Sequence, residues 1–99
     1  MGLKHREIVV EKGEVRGHRA VRIKVRRRDC VLWTCRANDF RLVFKKGDNP
    51  FYQSSFEGKR GAWVCSGPAR PGTARKEPYK SRIWVRGAKP IDPHVIVDP

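Results

Sequence analysis

Apolar and polar residues alternate in short runs along this chain. In AVRIKVR (20–26), Val21, Ile23 and Val25 take every second position, and Arg22, Lys24 and Arg26 fill the gaps. A period of two sends successive side chains to opposite faces of an extended strand. The same spacing predicts strands in DCVLWTC (29–35), with Val31, Trp33 and Cys35 on one face, and in FRLVF (40–44), with Phe40, Leu42 and Phe44 together. It recurs in YKSRIWVR (79–86), which aligns Tyr79, Ser81, Ile83 and Val85, and in DPHVIVD (92–98), which aligns Val95 with Val97. EIVVE (7–11), PFYQSSF (50–56) and AWVC (62–65) are shorter strand or edge candidates. Glycine, proline, Asn and Asp separate the runs at KGEVRGHR (12–19), RAND (36–39), KKGDNP (45–50) and GAKP (87–90), which is turn chemistry. SGPARPGTARKEP (66–78) reads as a loop or an extended basic arm carrying Arg70, Arg75 and Lys76. No segment has the 3.6-residue spacing of an amphipathic helix. The pattern predicts an all-β chain: one small antiparallel β-sandwich of about seven short strands over residues 1–99, with a small β-barrel as the alternative.

Composition changes the picture in one respect. The chain has 99 residues, a length that suits a single domain. It carries 23 Lys and Arg against 10 acids, a net charge of +13. The excess is spread along the chain: 14 cations and 6 acids in residues 1–50, and 9 and 4 thereafter. Such a balance favours partners of negative charge, with a merely solvated like-charged surface as the plainer reading. The opening MGLKHREIVVEKGE lacks the apolar stretch of a secretory signal, and no run has the length of a membrane span, so a cytoplasmic setting is expected. Cys30, Cys35 and Cys65 are odd in number. Reduced thiols are the first reading, and a Cys35–Cys65 bridge is the alternative.

Two stretches resemble known domains. VRIKVRRRDCVLWTC (21–35) resembles the hairpin near the start of cupredoxin-like domains, where a strand leads through a tight turn into a V-x-W strand. YKSRIWVRGAKPIDPHVIV (79–97) resembles their closing hairpin, and is similar to the end of immunoglobulin-like starch- and glycogen-binding modules. The resemblance implies a Greek-key sandwich. It departs from the cupredoxins at the metal: the only methionine is Met1, and Cys65 is followed by SGPARPG rather than by spaced His and Met ligands. Zinc fares little better. Cys30 and Cys35 are an odd number apart, so a strand points them to opposite faces, and His5, His18 and His94 are scattered. No nucleophile–base pair or phosphate-cradling glycine loop stands out. No cofactor and no catalytic site are expected, and the chain reads as a non-enzyme.

The chemistry that remains is cationic. If the runs are strands, Arg22, Lys24 and Arg26 face outward, as do Lys80, Arg82, Trp84 and Arg86, and Arg41 with Lys45. Like charges directly opposite in a sheet destabilise it by up to about 1 kcal/mol per pair. A polyanion relieves that repulsion by placing phosphates between the cations, and it releases counterions. Arginine's planar fork suits phosphate oxygens. Trp84, amid cations, is placed to stack on an unpaired base or to pack beneath a loop. Trp33 is assigned to the core, and Trp63 is left open. Arg26, Arg27 and Arg28 at a turn, and the Arg70, Arg75 and Lys76 segment, extend the basic surface. The expected function is a non-catalytic module that contacts RNA or DNA mainly through phosphates. The alternatives are a subunit docking on an acidic protein partner and a carbohydrate-binding module using Trp63 and Trp84. The first requires Arg22, Lys24, Arg26, Arg82 and Arg86 to share one outer wall without neutralisation by the protein's own carboxylates.

Overall fold

The alternating runs become strands of two stacked sheets. The computed structural model describes residues 2–16 and 20–99, so Gly17, His18 and Arg19 of the expected 12–19 turn lie outside the described residues. Nine strands follow in order: β1 (Leu3–Glu11), β2 (Glu14–Arg16), β3 (Ala20–Lys24), β4 (Cys30–Cys35), β5 (Phe40–Phe44), β6 (Ser55–Gly58), β7 (Trp63–Pro68), β8 (Tyr79–Val85) and β9 (His94–Asp98). One sheet has the order β2-β1-β4-β7 and the other β3-β9-β8-β5-β6. The described residues contain neither a helix nor a closed barrel. The molecule is an all-β sandwich.

Three features differ from the expectation. Among the described residues there are nine strands rather than about seven: the short candidates at 7–11, 50–56 and 62–65 each lead to a strand (β1, β6 and β7), and the Lys12–Gly13 turn leads into the additional three-residue β2. The sheets are mixed: β1 runs parallel to β4 and β3 parallel to β9, while the other pairs are antiparallel. The stretch 21–35 is not a hairpin, since β3 and β4 belong to different sheets. Its turn is tight nonetheless. Arg28 donates its backbone N–H to Val25 O at 2.9 Å and takes φ 54°. Asp29 Oδ2 accepts the Lys24 N–H at 3.0 Å. That carboxylate occupies a donor a partner strand would have used, and the chain crosses to the other sheet. The second expected hairpin does form: β8 and β9 pair antiparallel, with Tyr79 opposite Val95 and Lys80 opposite His94.

The inward rows fill the space between the sheets. Val21, Ile23, Phe40, Leu42, Phe44, Tyr79, Ile83, Val85, Val95 and Val97 come from the five-stranded sheet, and Ile8, Val15, Val31, Trp33 and Cys35 from the other. Burying a side chain of the Val, Leu or Phe class contributes roughly 1.5–3 kcal/mol, so these rows supply the driving force. Trp33 is core, 5.6 Å from the Phe56 ring centre and 6.2 Å from that of Phe51. Cys35 is buried there, whereas Cys65 is exposed on the far side of the sheet, and all three cysteines are free. The Cys35–Cys65 alternative therefore fails: a strand that sends Cys35 inward cannot present it to a thiol on the outer face.

Residues 66–78 are not a free arm. Ser66 to Pro68 belong to β7. Beyond them, Arg70 donates its backbone N–H to Pro50 O at 2.7 Å and its guanidinium to Asn49 O at 2.6 Å. The buried Tyr79 hydroxyl donates to Thr73 O at 2.6 Å. The loop is bonded down along its length, and it leaves the outer face of the five-stranded sheet uncovered around β5 and β8.

Candidate nucleic-acid interface

Strand register decides which cations meet. On the outer face, β5 presents Arg41 and Val43 and is followed by Lys45, while β8 presents Lys80, Arg82 and Trp84. Arg41 lies opposite Trp84 and Val43 opposite Arg82. One step past the last aligned pair, Phe44–Ser81, come Lys45 and Lys80. Together they line an open depression of about 650 Å³, with Asp92 at its side. Trp84 is 46% exposed, so no loop covers it. Its alternation partners Tyr79, Ser81, Ile83 and Val85 are buried, and the indole stands outward because β8 is strictly two-periodic.

Two of the anticipated cations are held by the protein's own acids. Arg82 Nε donates to Asp92 Oδ1 at 2.8 Å and Nη2 to Oδ2 at 3.3 Å. This pairing holds the Asp92 carboxyl below its usual value and raises Arg82. Arg22 Nη1 donates to both Asp98 oxygens, at 2.8 and 2.9 Å. Among the described residues, Lys24, Arg41, Lys45 and Lys80 make no ion pair.

The basic wall is also divided. β9 runs between β3 and β8, and its outward residues His94, Ile96 and Asp98 align with Ala20, Arg22 and Lys24. Arg22 and Lys24 are thus set apart from Lys80, Arg82 and Trp84 by a strand that carries an acid. Arg26, Arg27 and Arg28 are exposed in the turn after β3, at the end where β9 finishes and β8 begins. Arg86 follows β8 at the opposite end, where its carbonyl accepts the Asn38 side-chain amide at 3.5 Å. The five cations Arg22, Lys24, Arg26, Arg82 and Arg86 therefore do not form one crowd, and two of them are neutralised by the protein's own carboxylates. The requirement set out from the sequence is not met, and a nucleic-acid reading has to rest on a different group, Arg41, Lys45 and Lys80.

The loop residues divide in the same way. Arg75 is structural: its guanidinium lies 3.6 Å from the Tyr79 ring centre, binds Asp48 at 2.7 Å and donates to Glu77 O at 3.0 Å. The Arg75 hydrogen bond lowers the Asp48 carboxyl, and the same bond raises Arg75. Arg70 is tied to Asn49, and Lys76 is exposed. Trp63, 51% exposed, belongs to the other sheet, where the His5 ring meets it edge-on at 5.2 Å.

Sequence reasoning overlooked Val43 and Asp92. Val43 is the outward residue between Arg41 and Lys45, and the alternation of FRLVF marks it. Asp92 opens the DPHVIVD run, and nothing in IDP signals that it meets Arg82. Among the described residues no three of His, Cys, Asp and Glu gather as a metal-binding group. Compared with known proteins, the chain matches no family model, no curated protein and no solved structure.

Proposed function

We propose that this is a non-catalytic module that binds nucleic acid, mainly through its phosphates, on the outer face of the five-stranded sheet. The observation that carries the reading is the cluster around the depression: among the described residues Arg41, Lys45 and Lys80 converge there without a salt bridge, and the acids near them, Glu57 opposite Arg41, Asp48 near Lys45 and Asp92 near Lys80, offset their charge only in part. Lys45 and Lys80 follow the last aligned pair of β5 and β8, Phe44–Ser81, so two like charges gather at one end of the depression, with Asp92 beside Lys80; an anion lying there relieves their repulsion. Arg26, Arg27, Arg28 and Lys76 extend the positive surface, and the net charge of +13 draws polyanions toward it. Arg22 and Arg82 already have carboxylate partners and contribute less; Arg75 serves the fold. The two-sheet sandwich and the β8–β9 hairpin support the finer likeness to immunoglobulin-like or cupredoxin-like domains, a likeness of shape that carries no function.

The test is an oligonucleotide titration at several salt concentrations. Each phosphate neutralised contributes roughly 0.7 to 0.9 to the slope of log affinity against log salt. Replacing Arg41, Lys45 and Lys80 together with Gln is expected to flatten that slope by about 2 to 3 while leaving the melting temperature near the parent's. A triple variant with the parent's affinity and slope overturns the proposal.

A further inference from the structure

The depression has a second chemistry that phosphates do not use. Its surface includes the indole of Trp84 and the side chain of Val43, set among the cations. Arg82 stands over the indole with its guanidinium carbon 5.8 Å from the ring centre. Contacting carbon atoms sit about 3.5–4.0 Å apart, so the guanidinium does not fill the face of the ring. Asp92 accepts from both Nε and Nη2 of Arg82, which draws the guanidinium toward that carboxylate rather than down onto the ring. The result is a half-exposed indole with a guanidinium standing off one face, a platform on which a flat ring can lie.

We infer that the ligand of this face is an unpaired nucleic-acid strand, with one base stacked on Trp84, an adjoining phosphate at Arg41 and a phosphate further along the same strand at Lys45 and Lys80. The inference rests on the nucleic-acid reading above and narrows it. A duplex presents phosphates to a flat sheet and keeps the faces of its bases inside the stack, so it leaves Trp84 without a partner. An unpaired strand offers both chemistries at once. Arg41 lies in β5 and Lys45 just past its end, four residues on and about 13 Å along an extended chain, so the two sites span more than one nucleotide of an unpaired strand, with Trp84 beside the Arg41 end. Stacking on an indole is tolerant of sequence, because every base has a π-face. The expected ligand is therefore single-stranded and only weakly selected by base.

The experiment uses the full chain, a labelled 12-nucleotide single strand, the same strand annealed to its complement, and heparin as a polyanion without bases. The single strand is expected to bind at least tenfold more tightly than the duplex. Trp84→Leu keeps an apolar strand residue and removes the π-face. It is expected to weaken the single strand about 5- to 150-fold, with the salt slope unchanged and heparin binding unaffected. Trp84→Phe is expected to recover most of the loss, and Trp63→Ala, on the other sheet, to behave as the parent. A duplex bound as tightly as the single strand, or a Trp84→Leu variant that binds like the parent, overturns the inference and leaves the phosphate-binding reading standing. An equal loss of heparin affinity in Trp84→Leu overturns it too, because base stacking is then not what the ring supplies. Failure of every nucleic acid to bind overturns both.

Discussion

Ser66 shows how much one hydroxyl decides. Between the pairs Leu32–Cys65 and Cys30–Pro68, β7 uses one residue more than β4, and Gly67 takes φ 71° to accommodate the bulge. The Val31 N–H, left without a backbone acceptor there, donates to Ser66 Oγ at 2.8 Å, and that hydroxyl donates to Gly67 O at 2.6 Å. Ser66→Ala strands a buried donor, so a loss of about 1–3 kcal/mol is expected in denaturant unfolding. Gly58 makes the complementary point: a Cβ there would overlap the ring of Phe40, its partner across β5 and β6. Gly58→Ala is expected to cost about 1–3 kcal/mol by the same measurement, since Phe40 is buried and has little room to yield. Neither role was legible in the sequence. SGP opens a stretch that reads as a loop, and nothing in EGK singles out its glycine, because what matters at each is a neighbour far away in the chain.

At the scale of elements, alternation was a good guide and connection was not. AVRIKVR, FRLVF and YKSRIWVR each gave the correct inward and outward residues, since a period of two needs no knowledge of partners. The partners came from elsewhere. VRIKVRRRDCVLWTC has the composition of a hairpin, yet Asp29 turns the chain into the other sheet. The segment 66–78 has the prolines and cations of an arm, yet Arg75 is stacked on Tyr79 and bound to Asp48. That ion pair has a pH signature. Asp48 titrates below its ordinary value of 3.8 in the folded protein, so its stabilising contribution is full at neutral pH. It is lost only as the pH falls through the lowered value. Thermal melts should show Asp48→Asn less stable than the parent at pH 7, with the gap closing in strong acid.

At the scale of the molecule, the sequence named the cations and their faces but not their distribution. Arg41 between Trp84 and Glu57, and β9 between β3 and β8, are facts of strand order, which alternation within a strand cannot reveal. The acids Asp92 and Asp98 sit where they moderate the basic face, and the charge count alone gave no hint of it. Purification with and without nuclease checks the outcome at this scale. Nucleic acid should accompany the untreated protein, and protein partners that persist after digestion would point to the docking alternative.

The parallel pairing of β3 with β9 joins residues about seventy positions apart, and this governs how the chain can be made. During synthesis, Ala20 to Lys24 leave the ribosome long before His94 to Asp98, which must lie between them and the rest of their layer. Until then β3 has no hydrogen-bonding neighbour, Val21 and Ile23 stay wet, and Arg22 and Lys24 serve to keep a bare strand from pairing with another nascent copy. Folding should be slow for so small a protein, and a nascent chain stalled short of residue 94 should remain open to protease.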